Sequence, residues 1–176
     1  MEPTKHNVPA EAVKLYNLFI HGEINRRDFM EGLQKFATGA DAVAALADAL
    51  MPNYAKGQQV SKTDERLVTS RETVSSPMGN GSIKGYLVRP VSARAGKLPG
   101  ILVVHENRGL NPHIEDVTRR LALANFMAFA PDGLTSVGGY PGDDDKGGEL
   151  FRTVNRDKMT EDFLAAAYWL KNRPDC

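Results

Sequence analysis

The chain has 176 residues, 41% hydrophobic and 25% charged, a globular composition with room for one domain of ordinary size. Lysine plus arginine balance aspartate plus glutamate at 22 each, which argues against a nucleic acid or an acidic membrane surface as the main partner. A single cysteine, Cys176, excludes an intrachain disulfide and is consistent with the cytosol, and no run approaches the roughly 20 apolar residues of a membrane span.

Residues 1–57 read as a helical segment. Ala12, Leu15, Tyr16 and Phe19 recur at helical spacing, and Gly22 ends the pattern. Asn25 can cap a second helix, with Asp28 in its first turn and Phe29, Leu33, Phe36 and Ala37 as its apolar positions. A third helix carries Val43, Leu46, Ala47 and Leu50, with Pro52 beyond it. The paired Arg26 and Arg27, followed by Phe29 and Met30, look like a twin-arginine export signal. Asp41 and Asp48 break the apolar stretch that follows, and its longest clean run, 42–47, falls short of a signal core of about 7–15 residues. The expectation is a pair of surface helices in a cytoplasmic protein. Periplasmic export through a degenerate signal is the alternative.

Residues 58–66 read as a polar linker, after which the pattern turns to β. The runs 66–76 and 81–90, joined through Asn80-Gly81, predict an antiparallel hairpin, and 92–100 reads as a loop. The run ILVV, 101–104, does not alternate, which predicts a strand covered on both faces at the parallel centre of an α/β sheet. Asn111 and Pro112 then start a helix striped by Ile114, Val117, Leu121 and Ala124. A buried strand at 126–132 completes a βαβ unit. Residues 133–149 read as a long loop rich in glycine, proline and aspartate, of the kind that lines ligand sites. A last helix is expected over 156–172, with Met159, Phe163, Ala166 and Leu170 on one face and Pro174 after it.

Glu106 falls just past the end of the ILVV strand, where open α/β sheets bind ligands. A carboxylate is poor core filler, because burying it unpaired is costly. The plainer interpretation is a solvated strand-end residue paired with Arg108.

The stretch VVHENRGLNPHIEDVTRRLA, 103–122, followed by FMAFAPD, 126–132, resembles the dienelactone hydrolases, a family of α/β-hydrolases; a looser likeness runs through 162–176. The resemblance covers about residues 65–176. It implies a mixed, mostly parallel sheet flanked by helices, preceded here by the small helical segment. It also implies hydrolysis of ester or lactone bonds by a Cys-His-Asp triad or its serine version, without cofactor or metal. Glu106 matches the family glutamate that contacts and activates the nucleophile. Asn107 matches the position whose backbone N–H joins the oxyanion hole, a donor that this fold takes from the loop after its third strand.

The pattern then departs from the family. The nucleophile belongs on a G-x-S-x-G or G-x-C-x-G elbow after the last helix, and no such elbow occurs in the 176 residues. GLTSVGG, 133–139, comes nearest but starts one residue early; Ser82 lacks the frame, and Cys176 has nothing after it. The histidines, His6, His21, His105 and His113, precede any place an elbow could stand, although triads on this fold end in histidine. The expectation is therefore an incomplete α/β-hydrolase fold over 67–176, truncated before the nucleophile strand and inactive alone. The partners expected are a small ester or lactone and a complementary carboxyl-terminal fragment. The truncation exposes one edge of the ILVV strand, which predicts marginal stability or aggregation and, as an alternative function, a non-catalytic module that pairs through that edge. A metal hydrolase using His105, Glu106 and His113 fits badly, since the spacing is not H-E-x-x-H. A nucleotide-binding domain lacks its G-x-G-x-x-G.

Overall fold

A computed structural model describes residues 8–51, 57–91 and 97–176. His6, Pro52 and positions 92–96 of the expected loop lie outside the described residues. The chain forms two compact units, Met1–Gly57 and Gln58–Cys176.

Among its described residues the first unit forms α1 (Ala10–Ile20), α2 (Arg26–Leu33) and α3 (Ala40–Leu50). The Asn25 side chain accepts the Asp28 N–H at 3.0 Å and so starts α2. Ala12, Phe19, Phe29, Leu33, Val43, Leu46 and Ala47 form the core, with Phe19 and Phe29 stacked at 4.8 Å. Phe36 and Ala37, expected on the α2 stripe, lie past its end and only lean on this core. Arg26 and Arg27 are exposed in the first turn of α2, while Phe29 is fully buried. Among the described residues no helix is long and apolar enough to cross a membrane.

The second unit runs β1 (Leu67–Ser76), β2 (Gly81–Pro90), β3 (Gly100–Leu102), α4 (Pro112–Leu123), β4 (Met127–Pro131), a 3-10 turn (Thr135–Val137), α5 (Asp144–Thr153) and α6 (Arg156–Lys171). The predicted hairpin is present, with Ser76 opposite Gly81 across a four-residue connection. Gly81 follows that connection with φ 88°, a conformation glycine adopts without strain. The strand order is β1-β2-β4-β3. Only β3 and β4 are parallel; β1/β2 and β2/β4 are antiparallel. The sheet is therefore mixed but not mostly parallel as the resemblance implied, because the hairpin turns β2 against β4.

One layer of apolar side chains lies on each face of the sheet. Tyr86, Val88, Val103, Ala128 and Ala130 meet Ala122 of α4, while Ile83, Leu87, Met127 and Phe129 meet Ala166 and Leu170 of α6. β4 supplies both layers by strict alternation and is buried at all five positions. β3 departs from its expected role. It is three residues long, Ile101 and Leu102 are only half-buried, and Val104 is 62% exposed. Its one ladder neighbour among the described residues is β4, which leaves it as the open edge that the truncated fold predicts. Beside its start, Leu98 N–H donates to Asp175 C=O at 3.0 Å.

α4 begins as predicted, with Asn111 accepting the Ile114 N–H at 3.0 Å and Pro112 as first residue. Its buried face is not the expected stripe. Ile114, Val117 and Leu121 are half-buried and Ala124 is the exposed cap, whereas Glu115, Asp116, Thr118, Arg119 and Ala122 are buried. Residues 58–62, read as a linker, cover that polar face. Asp116 Oδ1 accepts the N–H groups of Gln59 and Val60 at 3.1 and 2.9 Å, and Arg119 Nε donates to Val60 C=O at 3.0 Å. Lys62 and Arg71 both pair with Glu115, so buried charge is matched by charge.

The expected 133–149 loop contains the start of α5, which the glycines concealed. Asp143 caps it by accepting the Lys146 N–H at 2.9 Å. Gly147 and Gly148, weak helix formers, sit where Arg108 packs closely, and at Gly147 the neighbour is backbone that cannot move aside. A Cβ at Gly147 would strike the Arg108 carbonyl, and one at Gly148 would lie 2.6 Å from the Arg108 guanidinium. On α6, Asp162 joins Ala166 and Leu170 on the buried face. It accepts the Asn80 N–H at 2.9 Å and the Asn80 side-chain amide at 2.6 Å, which holds the hairpin turn. Met159 and Phe163 are half-buried.

Candidate active site at the ends of the parallel strands

Because β3 and β4 are parallel, their carboxyl ends open on one side of the sheet, the side where such sheets bind ligands. One further rung, Val103 N–H to Phe129 C=O at 2.8 Å, carries the β3 pairing past its last assigned residue. The chain then keeps the alternation of a strand, with Val103 and His105 buried and Val104 and Glu106 exposed. Half-buried Asn107 leads the turn through Gly109, φ 85°, to the Asn111 cap of α4. A side chain at Gly109 would also press on Leu134, with 2.6 Å to Cδ1.

Glu106 is thus exposed at the strand end, and Asn107 follows it. Arg108, the partner offered by the plainer interpretation, is directed to α5: its Nη1 donates to Asp144 C=O at 3.0 Å and lies 3.9 Å from Asp145. Asp144 also takes the Tyr140 hydroxyl at 2.8 Å, so the loop after β4 and the start of α5 close on the turn after β3.

Beneath Glu106 lies His105, its side chain 1% exposed. Its ring meets the edges of Phe151 and Phe163 at centroid distances of 6.1 and 5.7 Å. Nδ1 is 2.6 Å from Glu106 C=O, and Nε2 accepts the Gly133 N–H at 2.8 Å. Burial pushes the imidazole below its ordinary titration range; the Glu106 carbonyl and the Asp132 carboxylate, 4.0 Å from Nε2, oppose that shift more weakly. With both nitrogens engaged inside the protein, His105 presents none to an external metal or substrate.

Asp132 is the residue that sequence reasoning missed. It is 7% exposed at the carboxyl end of β4. Oδ1 accepts the N–H groups of Leu110 and Leu134 at 3.3 and 3.1 Å, and Oδ2 accepts that of Tyr140 at 2.8 Å. One carboxylate therefore joins the turns after both parallel strands. The available signal was an aspartate placed between a wholly apolar strand and a glycine, where an unpaired charge would not survive.

The remaining candidates are scattered. His113 is exposed in the first turn of α4, Ser136 is exposed in the 3-10 turn, and Ser82 sits on β2. Cys176 packs, half-buried, against the α6-side core. Among the described residues no three His, Cys, Asp or Glu side chains gather where a metal could bind.

The family model described as "Dienelactone hydrolase family" matches residues 83–176. A curated protein of Escherichia coli K12 named "Putative hydrolase fragment YghX" is 58% identical over 111 residues, covering 63% of this chain and 94% of that one. A "Putative carboxymethylenebutenolidase" of Synechocystis is 43% identical over 58 residues, covering 33% of this chain and 23% of that protein. The solved structure called m3DLH superposes with a TM-score of 0.50 at 24% identity, over 62% of this chain and 45% of the other, a likeness of fold. The chain thus spans nearly all of the fragment but only about a quarter of that carboxymethylenebutenolidase.

Proposed function

Since the chain belongs to the dienelactone hydrolase family, we propose that its second unit is the oxyanion half of an ester- or lactone-hydrolysing site on an incomplete α/β-hydrolase fold. Glu106 is the carboxylate that contacts and activates a nucleophile, and the Asn107 N–H is one of the donors that hold the carbonyl oxygen as it gains charge. The nucleophile, acid and histidine come from polypeptide other than these 176 residues, which hold no elbow. A thiolate or alkoxide there adds to the carbonyl, the histidine carries the proton to the leaving oxygen, and water releases the acid. No cofactor or metal enters. The paired arginines are read as the start of α2 in a cytoplasmic protein, because Phe29 beside them belongs to the helical core.

The observation that carries this reading is the placement of Glu106: exposed, past the end of β3, and with Arg108 turned away to α5. A p-nitrophenyl ester assay tests it. The chain alone is expected to be inert. Turnover is expected when a carboxyl-terminal fragment of a carboxymethylenebutenolidase, beginning at its elbow strand, is added, and Glu106→Gln in the mixture should remove most of it. Enzyme-like turnover by the chain alone, indifferent to Glu106, would refute the reading.

A second reading rests on the β3 edge. That strand has one ladder neighbour among the described residues, and Val104 beside it is exposed. A module that binds an extended segment there would form a stoichiometric complex with the same fragment and show no turnover.

A further inference from the structure

The two hydrogen bonds of His105 fix its tautomer without ambiguity. The Gly133 N–H can only donate, so Nε2 carries no proton. The Glu106 carbonyl can only accept, so Nδ1 carries the proton and donates it at 2.6 Å. That carbonyl shares its peptide plane with the Asn107 N–H. In a trans peptide the two groups point in opposite directions. Anchoring the carbonyl onto the buried ring therefore turns the Asn107 N–H away from it.

We propose that His105 is a positioning residue: as a neutral Nδ1–H tautomer held by the Gly133 N–H, it locks the Glu106–Asn107 peptide so that the Asn107 N–H keeps one direction. The functional meaning of that direction rests on the oxyanion reading above, whereas the lock itself does not. The surroundings are built to keep the ring still. Phe151 and Phe163 flank it, and a Cβ at Gly133 would lie 3.0 Å from Nε2, 2.9 Å from Met159 Sδ and 3.1 Å from the Phe163 ring. Glycine at 133 lets the N–H approach the imidazole without a Cβ pressing on the ring. Among the described residues the charged group facing the ring is Asp132, whose oxygens are already engaged by the Leu110, Leu134 and Tyr140 N–H groups. It holds the turn around Gly133 in place, and its pull toward a protonated ring is outweighed by burial.

Nuclear magnetic resonance on the full chain tests the lock without any assay of activity. In the wild type, histidine-selective 15N labelling should show His105 protonated at Nδ1 and bare at Nε2. Residual dipolar couplings should then report the Asn107 N–H direction in three variants. His105→Asn keeps a donor at the Nδ1 position and should leave the Asn107 coupling unchanged. His105→Gln and His105→Phe lose that donor and should shift it, while couplings in β1 and β2 stay put. A wild-type ring protonated at Nε2 would overturn the proposal whether or not any variant folds. So would an Asn107 coupling that is the same in all three variants, or one that moves as far in His105→Asn as in His105→Phe. Inert mixtures in the esterase test, with these couplings as expected, would remove the oxyanion reading and leave the lock standing.

Discussion

β3 and β4 are the two parallel strands of the sheet, and both come from unbroken apolar runs in the sequence. β4 lies between β2 and β3, and all five of its residues are buried. β3 lies at the edge, and no residue of its three is fully buried. Both runs are apolar; neighbours decide burial. An apolar run without alternation states that a strand can be covered on both faces. It does not state that the covering is present in the same chain.

The contrast can be broken from the β4 side first. Phe129 is fully buried and packs on Trp169 at 4.9 Å between centroids. Phe129→Ala should cost about 3–5 kcal/mol, as buried aromatic truncations do, and should unfold a marginal domain outright. Urea denaturation checks it; a cost below about 1 kcal/mol would mean that β4 is not the centre of the fold.

A smaller effect is expected at Gly85, opposite Pro131 on β4. A Cβ there would lie 2.5 Å from the Phe129 ring and 2.8 Å from the Ala130 carbonyl. The ring can shift but the backbone cannot, so Gly85→Ala should cost about 1–3 kcal/mol by overpacking. The double variant Gly85→Ala, Phe129→Leu should recover part of the loss by making room. Equal losses in the single and double variants would show that the Phe129 ring is not what fills the place of a Cβ at Gly85.

These residues also show what the sequence made legible. The hairpin, the Asn25 and Asn111 caps and the two apolar strands were readable because each has a local signal: an Asn-Gly turn, a side chain that accepts an N–H, a run of β-formers. The place of Glu106 and Asn107 just past a strand was legible, while the roles given to them come from the family resemblance and stand as a proposal. The buried face of α4 was not, because Asp116 and Arg119 read as a solvated surface until residues 58–62 are seen to cover them. The glycines of α5 hid a helix for the opposite reason: their value lies in a contact with Arg108 that is 39 residues away at its nearer end. The roles of Asp132 and His105 were not read because their partners are backbone N–H and C=O groups, which residue types do not name; the one signal was the placing of Asp132 between an apolar strand and a glycine.

His105 sharpens the comparison through pH, since it bridges the end of β3 to the turn after β4. Burial sets its folded pKa below the ordinary value of 6.5. Between the two values the unfolded chain binds more protons than the folded one, so stability rises with pH there. The contribution is complete above about 6.5 and is lost as the pH falls from there toward the folded value, with a slope of at most about 1.4 kcal/mol per pH unit for one proton. Asp132, the charge facing the ring at 4.0 Å, weakens the effect without reversing it. Denaturation midpoints measured from about pH 7.5 to 5.5 should fall in the wild type and fall less in His105→Asn. Parallel profiles would mean that the ring is not held neutral by its site.

The smallest effect on stability should come from the open side of β3. Val104 is 62% exposed, so Val104→Lys removes little packing and should change stability by no more than about 0.5 kcal/mol. Its effect should instead appear in association. β1, the other edge, carries Arg71 and Glu72, charges that hinder a strand from a second molecule; at the carboxyl end of β3 the corresponding outward residue is valine. Light scattering over a concentration series should therefore show the wild type self-associating and Val104→Lys remaining monomeric, with Val68→Lys on β1 as a control that changes neither. If the wild type stays monomeric at high concentration, or if the β1 control abolishes association as well as Val104→Lys does, then β3 is not the reactive edge. In that event the difference between the two parallel strands is one of burial alone.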